Sequence, residues 1–139
     1  MNIDGELKNK KHILFFRVAY KDTDAGGVMY HGNYVTWAER ARVGLWYLLK
    51  NDMKNDGIFV ARKISAEYLA PIKLYDEIKI ETEIIKIGNS SLTFRHSFIK
   101  NEKRMSKVEI VLVYINHEKF KPSRVPESWK KKFQIISNG

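Results

Sequence analysis

One stretch of this chain, His31 to Lys50, repeats its apolar residues at the period of an α-helix, while most of what surrounds it alternates like β-strand. Tyr34, Trp37/Ala38, Ala41, Leu45 and Leu48/Leu49 recur every three or four positions and make one stripe. Val43 and Trp46 add apolar surface on other faces, which predicts a helix buried on more than one side. Asn33 is the expected N-cap and Asn51-Asp52 the expected end. A single buried helix needs a cover, and the remaining elements must supply it.

Those elements read as strands. Ile13 to Tyr20 is aromatic and β-branched, and Ile58 to Leu69 is extended up to Ala70-Pro71. From Glu77 to Ile87, Ile78, Ile80, Thr82 and Ile84 share one face. After a turn at Gly88-Asn89, Leu92, Phe94, His96 and Phe98 do the same. A second turn at Asn101 to Lys103 precedes Lys107 to Asn116, which is apolar on both faces over Val111 to Ile115 and therefore belongs inside a sheet or at an interface. Trp129 to Ile136 reads as a short helix. The fold class is α+β: an antiparallel β-sheet curled around one long central α-helix.

Composition then narrows the function. At 139 residues the chain fits a single domain (1–139, core about 13–117 and basic tail 118–139), without disulfides or Cys-ligated zinc, since it has no cysteine. The four histidines, His12, His31, His96 and His117, are too scattered to suggest a metal site. No apolar leader precedes residue 13, so a cytoplasmic protein is expected. The net charge is +9. Lys, Ile and Asn are abundant together, so compositional bias explains part of it; an anionic membrane, an acidic protein or a phosphate-bearing substrate explains the rest. Phe94 and Phe98 lie between basic residues, but they share the face of Leu92 and read as core, so no nucleic-acid partner is expected.

The phosphate-loop, G-x-S-x-G, G-x-G-x-x-G and H-E-x-x-H motifs are all missing. What stands out is Tyr20-Lys21-Asp22-Thr23-Asp24-Ala25-Gly26-Gly27-Val28-Met29-Tyr30-His31-Gly32-Asn33-Tyr34, where two carboxylates and a glycine pair connect a strand to the helix. The first N–H groups of a helix lack intrahelical acceptors and carry the positive end of its dipole. An oxyanion formed there meets ready donors. By themselves, the two aspartates are also what an Asx turn or a cap requires.

The segment Val18 to Arg42 reads V-x-Y-x-D-T-D-A-G-G-V-x-Y-H-x-x-Y-x-x-x-x-E-R-A-R, and Val60-Ala61-Arg62-Lys63-Ile64-Ser65-Ala66-Glu67-Tyr68-Leu69-Ala70-Pro71 follows the helix. Together with Gly88 to Phe94 and Lys119 to Pro126, these resemble the hotdog-fold acyl-CoA thioesterases of the 4-hydroxybenzoyl-CoA thioesterase family, in particular their YbgC-type, Tol-Pal-associated branch. The resemblance spans about residues 13–130. It implies a hotdog fold, homodimers paired into homotetramers, active sites between subunits, and hydrolysis of short-chain acyl-CoA without a cofactor, CoA being part of the substrate.

By the same resemblance Asp24 is the catalytic carboxylate, as nucleophile or general base, and His31 supplies the N–H that polarises the thioester carbonyl. Gly32 is a second donor. Asp22 and Asn33 are supporting residues that organise the loop and the helix start, and Glu39 pairs with Arg42 three residues on. Arg62, Lys63, Ser90 and Ser91 are the candidates for binding CoA. A non-catalytic hotdog module that binds acyl chains or acyl carrier protein is the competing reading. The basic tail, with Lys119, Lys121, Arg124, Lys130, Lys131 and Lys132 against Glu118 and Glu127, is a candidate surface for an acidic carrier protein or an anionic membrane.

Overall fold

The computed structural model describes residues 2–50 and 57–138. The strands are β1 (Glu6–Lys8), β2 (Lys11–Arg17), β3 (Gly57–Tyr68), β4 (Glu77–Ile87), β5 (Ser91–Lys100) and β6 (Lys103–Asn116). The helices are α1 (His31–Leu49) and α2 (Glu127–Phe133). All six strands form one antiparallel sheet in the order β1-β2-β4-β5-β6-β3, with α1 against one face. This is the α+β hotdog arrangement expected from the sequence.

The stripe on α1 buries Tyr34, Ala38, Ala41, Leu45 and Leu49. Its small residues let other backbone come close: a Cβ on Gly44 would sit 2.5 Å from the Asp4 carbonyl oxygen, so only glycine admits the N-terminal segment there. Of the two residues expected to bury a further face, Trp46 packs against the core while Val43 is exposed within the single chain. The N-cap is Tyr30 rather than Asn33, which lies in the first turn; the expected end at Asn51-Asp52 falls outside the described residues.

Strand alternation holds well in β4 and β5, whose inward residues Ile78, Ile80, Ile84, Leu92, Phe94 and Phe98 form the core floor. β6 starts at Lys103, earlier than Lys107, and is flanked by β5 and β3, as its two apolar faces require. β1 has no apolar pattern and was not anticipated. Asn9 and Lys10, both at positive φ, turn it back onto β2 through a connection that lacks the usual glycine. The core also extends past residue 117: Val125, Trp129, Phe133 and Ile136 are buried against Leu45, Phe94 and Tyr114.

One polar row runs through this core. His12, Thr82 and His96 sit side by side on β2, β4 and β5 and are fully buried. Arg42 reaches down from α1 and donates from Nη1 to His96 Nε2 at 3.1 Å, which leaves the ring proton on Nδ1, 2.7 Å from Thr82 Oγ1. Burial first, then the Arg42 charge, push His96 well below the ordinary histidine pKa, and burial lowers His12 as well. The unfolded chain therefore takes up protons near pH 6.5 that the folded chain refuses. Stability present above that pH is lost as the pH falls, with a limiting slope of about 1.4 kcal/mol per unit from His96 and a smaller loss from His12, whose lowering the Asp4 carbonyl and charge oppose. Urea midpoints measured between pH 7.5 and about 5 should decline with this slope. His96→Gln, whose amide still accepts from Arg42, should make the decline shallower.

Candidate active site

The turn between β2 and α1 is a small hairpin whose arms close on themselves. Thr23 bridges Met29, the Asp24 N–H donates to Val28 O at 2.9 Å, and the Tyr30 N–H donates to Asp22 O at 2.8 Å. Gly27 at the tip has φ +76, a conformation glycine adopts without strain. Residues 72–76 brace the hairpin: Met29 N–H donates to Ile72 O, Leu74 N–H to Gly27 O, and Tyr75 N–H to Val18 O. In the sequence only Ala70-Pro71, just before that segment, stands out as the end of a strand.

Asp22 joins the hairpin to the helix. Its Oδ1 accepts from Trp37 Nε1 at 2.9 Å and its Oδ2 from the Ala19 N–H at 3.0 Å. Its carbonyl also takes Asn33 Nδ2 at 2.8 Å. Asn33 thus ties the first turn of α1 to the loop, although it is not the cap. Trp37 stacks on Phe16 with ring centroids 3.9 Å apart, so the latch is anchored to β2. Trp37 was read only as core; nothing in its helical spacing marks its indole N–H as a partner of Asp22.

Asp24 is exposed beside the tip. Oδ1 accepts the Gly26 N–H at 2.8 Å, an Asx turn that fixes the carboxylate, and Oδ2 takes no hydrogen bond among the described residues. His31 is the first residue of α1, exposed, with the Tyr30 ring 4.2 Å from its own. Among the described residues neither the His31 nor the Gly32 N–H has an acceptor. Such a pair of donors stabilises an oxygen that gains negative charge. Tyr68 at the end of β3 donates to His31 O at 3.2 Å, a contact the sequence did not reveal.

Arg62 and Lys63 lie at the bulge in the middle of β3, exposed. Ser91 aligns with Val113 and through it with Val60, so Ser90 and Ser91 share that region of the sheet. Within one chain these four residues do not gather around Asp24. Ser90 and Ser91 sit at the opposite end of the sheet, and Lys63 is five residues, about 17 Å, along β3 from Tyr68. Glu39 is exposed and makes no direct ion-pair contact with Arg42 among the described residues, though its charge favours the guanidinium; the contact that Arg42 makes is with His96. A groove of about 340 Å³ between α1 and the start of β3, lined by Arg42, Trp46, Gly57, Ile58, Phe59 and Trp129 among others, also lies away from Asp24. No group of three or more His, Cys, Asp or Glu among the described residues is placed to hold a metal. No described helix is long and apolar enough to cross a membrane.

One antiparallel sheet wrapped on a single long helix is the hotdog arrangement. The thioesterase superfamily model matches residues 26–107, and the chain belongs to that family. Acyl-CoA thioester hydrolase YbgC of Escherichia coli O6:H1 is 38% identical over 117 residues, covering 81% of this chain and 87% of the relative. Acyl-CoA thioesterase YbgC of Haemophilus influenzae is 31% identical over 127 residues, covering 86% and 92%. The structure of a predicted thioesterase from Bacillus stearothermophilus superposes with a TM-score of 0.82 at 20% identity, over 91% of this chain and 96% of that one.

Replacing Asp22 with Ala leaves the Trp37 and Ala19 N–H groups without their acceptor. The unfolding free energy should fall by about 1–3 kcal/mol in urea titrations.

Proposed function

We propose that this chain is an acyl-CoA thioester hydrolase in which Asp24 and the start of α1 carry the reaction. The observation that supports this most directly is the pairing of one unshared carboxylate oxygen, Asp24 Oδ2, with two N–H groups that lack acceptors, those of His31 and Gly32. The thioester oxygen takes the N–H pair, and one donor of this kind is worth about 10²–10³ in rate. Asp24 faces the carbonyl carbon. It either draws a proton from water or attacks the carbon, expelling the CoA thiolate and leaving a mixed anhydride for water to cleave. A single turnover in ¹⁸O-water separates these routes: label in Asp24 with unlabelled acid product marks direct attack. The names of the relatives at 38% and 31% identity support acyl-CoA as the substrate, and short acyl chains, no cofactor and a cytoplasmic setting complete the reading.

A homodimer, paired into a tetramer, fits the same picture. β3 has 12 residues, is bonded only to β6, and exposes Ile58, Val60, Ile64 and Tyr68, an edge that in isolation invites pairing. Antiparallel pairing of two β3 edges about the Arg62–Lys63 midpoint would set Gly57 and Ile58 of one copy beside Tyr68 of the other. The groove beside Gly57 and Ile58 of one copy then approaches Asp24 and His31 of its partner, while Arg62 and Lys63 stay at the midpoint of the seam, where basic residues of both copies flank the path of a CoA arm. Exposed Val43 and Tyr47 on α1 also favour a covering copy.

Asp24→Asn keeps an oxygen for the Gly26 N–H and should fold and assemble as the parent does. Its hydrolysis of short acyl-CoA, followed with a thiol reagent, should fall by a factor of about 10² or more. Undiminished activity would overturn the assignment, and binding of thioesters without turnover by the parent protein would favour the non-catalytic module. Raising ionic strength should increase KM for CoA esters while leaving kcat nearly unchanged, as screening weakens the phosphate contacts.

A further inference from the structure

The turn after β6 presents a feature that the thioesterase reading does not use. Phe120 is 72% exposed and stands at its tip, with Lys119 and Lys121 on either side. The tip is built rather than loose. Asn116 Oδ1 accepts the Glu118 N–H at 2.8 Å, the Phe120 N–H donates to Asn116 O at 2.9 Å, and the Asn116 N–H donates to Lys121 O at 3.1 Å. Pro122 then bridges Ile115 and closes the turn. Phe120 itself has φ +49, a backbone region where glycine or asparagine is favoured over an aromatic residue. Neither the turn nor the core gains from a phenylalanine here, so local stability does not account for it.

The charge around it is predominantly positive, Glu118 being the acidic residue of the turn itself. Neither the Lys119 nor the Lys121 ammonium is paired among the described residues, and over 117–133 six basic residues face two acidic ones. We propose that this turn is a membrane-contacting wedge: Phe120 enters the headgroup region of an anionic bilayer while Lys119 and Lys121 hold the phosphates on either side. The shape favours a lipid surface over an acidic protein. The tip is a single convex aromatic, whereas a protein interface needs a broad patch with buried anchors. An aromatic ring with lysines around it matches the interface of an anionic leaflet, where each lysine near the surface strengthens binding by about fivefold. One wedge per chain makes the association weak, reversible and salt-sensitive. Copies of the chain in one assembly would add their wedges together wherever they face the same way.

The test is sedimentation of the full-length protein with phosphatidylcholine vesicles, with and without about 30 mol% phosphatidylglycerol. The parent should pellet only with the anionic vesicles and be released at about 0.5 M salt. Phe120→Ser and the double variant Lys119→Gln/Lys121→Gln should each bind at least fivefold more weakly, with unchanged thermal midpoint and unchanged hydrolysis of soluble short acyl-CoA. Phe120→Trp should bind, and its emission should be quenched by brominated lipid beyond that of the parent. Absence of anionic-vesicle binding, or equal binding by Phe120→Ser, overturns the proposal. So does Phe120-dependent binding to an acidic acyl carrier protein in place of vesicles. None of these outcomes bears on Asp24, so the wedge and the hydrolase reading fail separately.

Discussion

Asp22 is where the strand, the loop and the helix are made to agree. The first turn of any helix leaves donors over, and a strand that runs into a helix must satisfy its own backbone within a few residues. Here one aspartate does most of that. Its two carboxylate oxygens hold Trp37 and Ala19, and its carbonyl holds Tyr30 and Asn33. The donors it takes up are those around the helix start, while the N–H groups of His31 and Gly32 stay unclaimed among the described residues. Because Trp37 stacks on Phe16, the position of α1 is referred back to β2 rather than left to the loop. Asp24 is then fixed by the same hairpin, one residue beyond Thr23 and its bridge to Met29.

Much of this was legible before any coordinates. The helical stripe from Tyr34 to Leu49 and the alternation in β4 and β5 are period signals, and period is what burial imposes on sequence. The Asp22-to-Asn33 segment stood out because acids, glycines and a helix start coincide there. What remained hidden depended on partners distant in sequence. The Arg42–His96 bond joins residues whose local patterns mark only a helix surface and a strand face, and it is the contact Arg42 makes where helical spacing suggested Glu39. β1 escaped notice because its pairing relies on a turn of Asn9 and Lys10 at positive φ rather than on apolar residues. The cap expected at Asn33 lies three residues earlier, at Tyr30, for a related reason: the Asn33 amide serves the Asp22 carbonyl across the loop, a role that resembles a cap in sequence but is not one in geometry.

The two ends of the sheet have different chemistry. One end gathers the Asp24 hairpin, the start of α1 and Tyr68. The other gathers the groove beside Trp46, the Ser90–Ser91 turn and the packed C-terminal helix α2. A single chain keeps them apart by the length of β3, which is why residues proposed to touch one ligand do not meet within it. The bulge at Arg62 interrupts the β3–β6 register near the midpoint of the strand, where pairing of two such edges would be centred.

The strand order also carries a consequence for how the chain acquires its shape. β3 is the next described element after α1 in sequence, yet its only partner among the described residues is β6, the last strand to be made. β4, β5 and β6 can zip together through neighbouring hairpins, but the longest stretch of solvent-facing strand has nothing to pair with until they have done so. During synthesis β3 is therefore the element most in need of protection from pairing with another chain. Its exposed lysine, arginine and glutamate residues supply that protection by discouraging non-specific strand addition until the sheet is complete.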